Sequence, residues 1–305
     1  MTTNPNHFAN YPLDRAALKR RDADWQKSAI ESEAARVVVF HKMSAFLLDE
    51  GSTRSVGWLG GNAVGLFGSD AAPLFLGIDS DGAPHFAIEA PDNFDMEQFP
   101  LAGMGEFVDL RPAATIIPMG DLAILGCAKW LFDWHRRHGY CGRCGSETES
   151  LEAGWKRYCG ACRTEHFPRT DPVVIMAVTR GDQICLGRQR VWPKGMYSAL
   201  AGFIEPGESI EDAVAREVLE ESGLVVQDVR YHSTQPWPFP SSLMIGAICT
   251  VGEGEAHPDE EELEEVRWFT REEIGLMFQR KHPDAFAPTP IAIAHHIIKA
   301  WAEEK

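Results

Sequence analysis

Positive charge is in short supply in this chain. Its 305 residues hold 29 Lys+Arg against 45 Asp+Glu, a formal net charge of −16 at pH 7. Such a surface repels nucleic-acid phosphates and anionic lipid unless basic residues gather in one place, which disfavours broad, sequence-independent DNA binding. Short or capped nucleic-acid ends still fit. Long apolar runs are also missing. No stretch approaches the roughly 20 residues a membrane helix needs, and Met1 to Asn10 is polar, without a basic region followed by an apolar one. The expectation is a soluble, unexported, cytoplasmic protein. Cysteine is sparse and odd in number, seven in all, with four gathered into two CxxC pairs; that suits a reducing compartment and a metal better than disulfides. A dinucleotide fingerprint is absent, because Gly57, Gly60, Gly61 and Gly65 lack the GxGxxG spacing. The 44% hydrophobic and 24% charged fractions are ordinary globular proportions, so whole-chain disorder is excluded, and the length leaves room for two domains with a small module between them.

Short β-prone runs fill the first part of the chain, at Val37 to Phe40, Ala45 to Leu48, Pro73 to Ile78 and Pro84 to Ile88. Turn residues such as Asp49-Glu50-Gly51 and Asp79-Ser80-Asp81-Gly82 separate them, which predicts a mainly antiparallel β domain over residues 1–120. Between 121 and 139 the apolar residues Leu122, Leu125, Cys127, Trp130, Leu131 and Trp134 recur at helical spacing and end in Arg136, Arg137, His138 and Gly139, a linking helix with its stop signal. From Pro172 onward strand-like runs (Val173 to Val178, Ile184 to Gly187, Ser198 to Phe203, Leu243 to Val251) surround a helix pattern that starts at Ser209, and a last helix runs from about Pro290 to Trp301. This last region, 168–305, is an α/β arrangement.

Residues 140–167 carry the metal signal. Cys141 and Cys144, then Cys159 and Cys162, make C-x2-C-x14-C-x2-C, two tight pairs whose turns can aim four thiolates at one ion. Zn²⁺ favours such a sulfur tetrahedron, and a shell of four cysteines leaves no open position for water, so the site is structural rather than catalytic. Gly142, Gly145 and Gly160 are expected to supply the backbone freedom of the turns. Cys127, Cys185 and Cys249 sit in apolar surroundings and read as plain buried thiols.

The most informative stretch is Gly202 to Leu224. Ser209 is a plausible N-cap with Asp212 three residues on, and Gly223 is the expected C′ residue, so a helix spans 210 to 222. At 100° per residue, Glu217 and Glu221 continue the stripe begun by Ile210 and Val214, with Glu220 at its edge. Like charges at i, i+4 toward the negative end of the helix dipole are electrostatically poor, which calls for a cation, and hard carboxylate oxygens select Mg²⁺ or Mn²⁺. Gly202, Glu208, Arg216-Glu217, Val218, Glu220-Glu221, Gly223 and Leu224 together resemble the Nudix box of the Nudix hydrolases without a departure. The resemblance implies a C-terminal Nudix α/β/α sandwich with a mixed sheet, divalent metal on Glu217, Glu220 and Glu221, and an Arg216 that orients a glutamate.

Downstream, Thr234-Gln235-Pro236-Trp237-Pro238-Phe239-Pro240-Ser241-Ser242 reads as a stiff loop whose Trp and Phe can stack on a flat heterocycle. It resembles SQPWPFPxS of the NADH pyrophosphatase (NudC-type) subfamily, with Thr234 in place of serine, and a zinc ribbon ahead of the Nudix fold is that subfamily's layout. The N-terminal domain shares only its position and β character. Carried over, the resemblance implies metal contacts from Glu217, Glu221, the Ala201 carbonyl and a glutamate taken as Glu262, with Glu261 or Glu265 as alternatives. Substrate contacts follow at Phe167, Gln235, Pro236, Trp237, Pro238, Phe239, Pro240, Ser241, Ser242 and Ala294. The implied reaction is metal-dependent hydrolysis of NADH or NAD⁺ to AMP and nicotinamide mononucleotide, by a homodimer. The alternatives are removal of NAD caps from RNA 5′ ends, helped by a basic patch of Arg136, Arg137, Arg143, Lys156, Arg157, Arg163 and Arg169; an ADP-ribose-type pyrophosphatase; and a non-catalytic nucleotide-binding module.

Overall fold

The computed structural model describes residues 4–51, 53–68, 72–259 and 261–304. It divides into two compact units, one made of Met1–Ala9, Thr170–Trp237 and Ser242–Lys305, the other of Asn10–Arg169 and Pro238–Ser241. Among the described residues no helix is long and apolar enough to cross a membrane.

The unit containing Asn10–Arg169 opens with α1 (Ala23–Ile30) and is built on a six-stranded sheet. Its strands are β1 (Arg36–His41), β2 (Ser44–Asp49), β3 (Arg54–Val56), β4 (Leu74–Ile78), β5 (Pro84–Glu89) and β6 (Gly105–Val108). The order is β3-β2-β1-β5-β4, with β6 on β2. All pairs are antiparallel except β1 with β5. The sheet is mainly antiparallel, as expected, and β1 shows where the one parallel pair comes in: Val37 to Phe40 are all fully buried, so this strand is covered on both faces instead of alternating. After the short α2 (Leu110–Ala113) comes α3 (Met119–Arg137), the expected linking helix. Leu122, Leu125, Leu131 and Trp134 are buried, while Trp130 is half-exposed and donates its indole N–H to the Arg169 carbonyl at 2.7 Å. The cysteine segment adds a small sheet of β7 (Glu149–Leu151), β8 (Lys156–Tyr158) and β9 (Glu165–His166).

The unit containing Thr170–Trp237 is a three-layer structure around a mixed sheet. Strands β10 (Asp171–Arg180), β11 (Gln183–Arg188), β12 (Leu200–Phe203), β13 (Val226–Trp237), β14 (Ser242–Val251) and β15 (Glu265–Thr270) order as β13-β14-β10-β11-β15, with β12 on β10. Only β10 and β14 are parallel. Side chains of β10 alternate between two cores, as the pleat requires. Val174, Met176 and Val178 pack with Ala213, Val214 and Val218 of α4 (Ile210–Ser222). Ile175 and Ala177 pack with Ile274 and Met277 of α5 (Arg271–Phe278) and with Ile297 and Ile298 of α6 (Ile293–Glu303). Thr234 to Trp237, expected as loop, is the end of strand β13. Pro236 is tolerated there because β13 lies at the sheet edge, where a missing N–H breaks no inner ladder.

Candidate active site

Helix α4 begins with a reciprocal capping box. Ser209 Oγ accepts from the Asp212 backbone N–H at 3.1 Å, and Asp212 accepts from the Ser209 N–H at 3.0 Å. The helix ends on Gly223 at φ 70°, which only glycine adopts without strain. Its inner face changes from apolar to acidic in one stripe: Ala213, Val214 and Val218 are buried, and so are Glu217 and Glu221, at 8% and 4% exposure. Two buried carboxylates on one helix face demand compensation.

Arg216 supplies part of it. Its Nε and Nη2 donate to the two Glu208 oxygens at 2.6 and 2.9 Å, and Nη1 donates to Glu217 at 2.8 Å and to Glu220 at 3.0 Å. Nη2 also reaches the Phe203 carbonyl at 2.8 Å, tying α4 to β12. The guanidinium holds the Glu208 carboxyl down at about 2. Glu217 is pushed up, by burial first, against the pull of Arg216. Glu217 also lies directly over Gly202 of β12, where a Cβ would stand 1.9 Å from its Cδ. Only glycine leaves room for the carboxylate.

Glu221 has no such partner. Burial, then the charges of Glu217 and Glu262, push it up to about 8, with the Ala201 N–H pulling partly back. Its Oε2 is buried and makes no hydrogen bond. It lines a cavity of about 50 Å³ together with Ala201, Leu200, Gly187, Gln189 and Trp192. An oxygen-only, anionic donor set with one orphaned buried oxygen beside a small cavity could hold a hard divalent cation. Within the acidic run after β14, Asp259 accepts from the Glu262 and Leu263 N–H groups at 3.1 and 2.9 Å, a turn that buries Leu263. Glu264 and Glu265 are engaged elsewhere, by Arg188 at 2.7 Å and by the Tyr197 hydroxyl at 2.6 Å. Glu262 is the member of the run whose charge bears on both Glu217 and Glu221. Glu260 lies outside the described residues, and Glu261 and Glu262 are both exposed.

In the other unit the four thiols converge. Cys141 and Cys162 Sγ are 3.6 Å apart, Cys144 and Cys159 Sγ 3.5 Å, and all four lie within 4.8 Å of one another. A tetrahedron with metal–sulfur bonds of about 2.3 Å has edges of about 3.8 Å, so the four thiols fit one zinc. The two turns repeat one design: Gly145 N–H to Cys141 O and Arg163 N–H to Cys159 O, both 2.8 Å. Their positive-φ residues are Gly145 and Arg163; Gly142 and Gly160 keep ordinary φ, so the backbone freedom expected of them is not used.

Comparison with known proteins matches three stretches of the chain. Residues 168–290 match the NUDIX domain, 136–167 the NADH pyrophosphatase zinc ribbon domain, and 34–134 the NADH pyrophosphatase-like rudimentary NUDIX domain. The chain is 35% identical over 338 residues to the NAD-capped RNA hydrolase NUDT12 of Macaca fascicularis, spanning 97% of this chain and 73% of that protein. It is 33% identical over 292 residues to the NAD-capped RNA hydrolase NudC of Pseudomonas syringae pv. syringae (strain B728a), spanning 93% and 96%. With the mitochondrial NAD(P)H pyrophosphatase NUDT13 of Homo sapiens it shares 38% over 244 residues, spanning 76% and 68%. The chain belongs to the NADH pyrophosphatase family of Nudix hydrolases. The N-terminal region, whose chemistry is not legible in its residues, is thus a rudimentary copy of the same domain, and its six-stranded sheet likewise contains a single parallel pair.

Other expected site residues of this Nudix hydrolase are placed less uniformly. Gln235 is 1% exposed, and its amide is committed: Nε2 donates to His7 O at 3.2 Å and Ile291 O at 2.8 Å, and Oε1 accepts from Ile293 N–H at 2.8 Å. Ala294, 2% exposed, belongs to the core beneath α6. Pro236 and Trp237 at the end of β13, and Ser242 opening β14, are half-buried in the same unit. Pro238 to Ser241 group with the other unit, where the Phe239 ring faces the Arg111 guanidinium at 4.5 Å and Lys129 Nζ at 5.7 Å. Phe167, in that unit too, is 63% exposed. Three members of the basic patch are ion-paired. Arg136 pairs with Glu89, Arg137 with Asp133, and Lys156 with Glu152 and Glu165, while Arg157 is engaged by Thr148 and His135. Cys185 and Cys249 are buried and pushed up to about 12, whereas Cys127 is half-buried and faces Arg15 at 3.5 Å, unlike the plain thiol expected. Glu208, Gly202 and Asp259 join the site beyond the residues expected of it, although the first two belong to the Nudix box and an aspartate three residues before Glu262 is a turn signal.

Proposed function

We propose that the chain hydrolyses the diphosphate bridge of NADH and NAD⁺, releasing AMP and nicotinamide mononucleotide, with Mg²⁺ or Mn²⁺ as the catalytic ion. The observation that carries this reading is the pair of buried carboxylates Glu217 and Glu221, which the charge of the exposed Glu262 reaches, with Glu221 lining a small cavity and its buried Oε2 unpartnered. Glu217, Glu221, Glu262 and the Ala201 carbonyl would hold the cations, and Glu220 rests on Arg216 at their edge. When bound, such ions lower the pKa of a coordinated water and offset charge on the diphosphate oxygens. Glu221 Oε2 is the atom available to ligate a cation or to take up the proton of the attacking water. Arg216 fixes Glu217 through its grip on Glu208 and Phe203 O, so the carboxylate arrives oriented. Trp237 offers a ring for the dinucleotide, a part the resemblance also gives to Phe167 and Phe239, whereas Gln235 and Ala294 support the site from beneath. Zinc on Cys141, Cys144, Cys159 and Cys162 keeps a structural role, and the homodimer implied by the family resemblance is part of the same reading.

Removal of NAD caps from RNA is the second reading, favoured by the NUDT12 and NudC relatives, which are named NAD-capped RNA hydrolases. The ion-paired state of Arg136, Arg137 and Lys156 argues against a strong hold on the RNA body. Mass spectrometry of products from NADH, NAD⁺, ADP-ribose and NAD-capped RNA, side by side across a salt series, tests both. The expected result is AMP from NADH and NAD⁺ at the highest kcat/KM, insensitive to salt. A preference for ADP-ribose would overturn the reading; a salt-sensitive preference for capped RNA would favour the second one.

A further inference from the structure

The last residues of β13 carry the ring that the proposed function places against the dinucleotide, yet among the described residues β13 is an edge strand, paired only with β14. An open edge is free to shift unless something covers it. Its register already slips between Tyr231 and Ser233. What covers the following residues is the N-terminal segment Asn4–Ala9, which belongs to the same unit. Asn6 is fully buried, and its Nδ2 donates to Ser233 Oγ at 3.0 Å and Thr234 O at 2.9 Å. Asn4 Nδ2 donates to Thr234 O at 2.7 Å. The His7 carbonyl accepts from Gln235 Nε2, and that same amide fastens Ile291 O and the first N–H of α6. Phe8, 3% exposed, meets the Trp237 ring edge-on at 6.2 Å between centroids. Four of the five residues from Ser233 to Trp237 are therefore gripped from outside the sheet.

We propose that Asn4–Ala9 is a positioning strap for substrate recognition: Asn6 and His7 O set the edge of β13 through Ser233, Thr234 and Gln235, and Phe8 sets the angle of the Trp237 ring. This inference rests on the reading that Trp237 contacts the dinucleotide. Phe8 and Asn6 act through Trp237 and touch no reacting atom, so they govern KM and leave kcat alone. The strap also explains why Gln235 is buried: both its N–H groups and its carbonyl are occupied in joining the strap, β13 and α6.

The test compares Phe8→Leu, Asn6→Ala, Trp237→Ala and the double variant Phe8→Leu/Trp237→Ala in the full-length protein, with kcat and KM for NADH and thermal melting of each. Leucine keeps the buried apolar bulk of Phe8 and removes only the ring edge, so the fold is retained. The expected result is a KM raised about 3- to 10-fold by Phe8→Leu and by Asn6→Ala, kcat within about 2-fold of wild type, and a double variant no worse than Trp237→Ala alone. If Trp237→Ala raises KM while both strap variants leave it unchanged, the strap is overturned and the dinucleotide contact stands. If Trp237→Ala also leaves KM unchanged, the contact itself falls and the strap's role falls with it. A parallel loss of kcat and melting temperature in the strap variants, with KM constant, would reduce the segment to a structural one and overturn the proposal.

Discussion

His135 shows how one side chain couples the linking helix to the zinc ribbon. Arg157 Nη1 donates to its Nδ1 at 2.9 Å, and its Nε2 faces Gly154 O at 2.8 Å, an arrangement only the neutral Nε2–H tautomer satisfies. Burial, reinforced by Arg157, pushes it down to about 4. The unfolded chain takes up a proton near pH 6.5, so this residue's contribution to stability is whole above pH 6.5 and is lost as pH falls toward 4. The loss amounts to about 2–3 kcal/mol. Urea denaturation of wild type and His135→Gln at pH 7 and pH 4.5 measures it: the wild type should lose that much more than the variant. Equal losses would show that His135 accepts a proton in place. None of this is legible from sequence, because the partners lie 19 and 22 residues away.

At the scale of single elements, α4 and β12 form one device. Gly202→Ala places a Cβ within about 2 Å of the Glu217 carboxylate, but the obstruction is the end of a flexible side chain, so the backbone need not move. The expected outcome is a folded protein, with circular dichroism and melting close to wild type, whose turnover falls at least about 100-fold because Glu217 is displaced. Unchanged turnover would mean that Glu217's position is unimportant. The helix is readable to the residue because its cap, stripe and terminal glycine are local signals: Ser209, Ile210 to Ser222, and Gly223 stand where the sequence places them. The acidic face is readable for the same reason. Strand β13 is not, since five prolines and aromatics in a row read as a loop, and what makes Gln235 to Trp237 a strand is tertiary cover from Asn6, Phe8 and β14. The short strands β3 and β6 and helix α5 carry too little periodicity to stand out. In the N-terminal sheet, full burial of Val37 to Phe40 is visible as an apolar run, but the parallel partner it implies is not.

For the whole molecule, the three parts differ in what holds them together. The Nudix unit has two apolar cores flanking its sheet, while the cysteine module offers only a three-stranded sheet of 3-, 3- and 2-residue strands. A module with so little core depends on its metal. Purified protein should contain one zinc per chain by elemental analysis. Removal with a strong chelator should lower its melting temperature by several degrees, Zn²⁺ restoring it and Mg²⁺ failing to do so. A zinc-free chain of unchanged melting temperature would contradict a structural role for the four thiols.

The proposal at the centre is chemical: buried carboxylates on α4, with Glu221 foremost, would hold the ions that open a diphosphate bridge. Turnover of NADH by wild type and Glu221→Gln at saturating Mg²⁺ or Mn²⁺, with melting curves to verify the fold, tests it most directly. The expected result is AMP and reduced nicotinamide mononucleotide from the wild type and a loss of at least about 1,000-fold in the variant, with its melting temperature maintained. A near-wild-type rate from folded Glu221→Gln would contradict it.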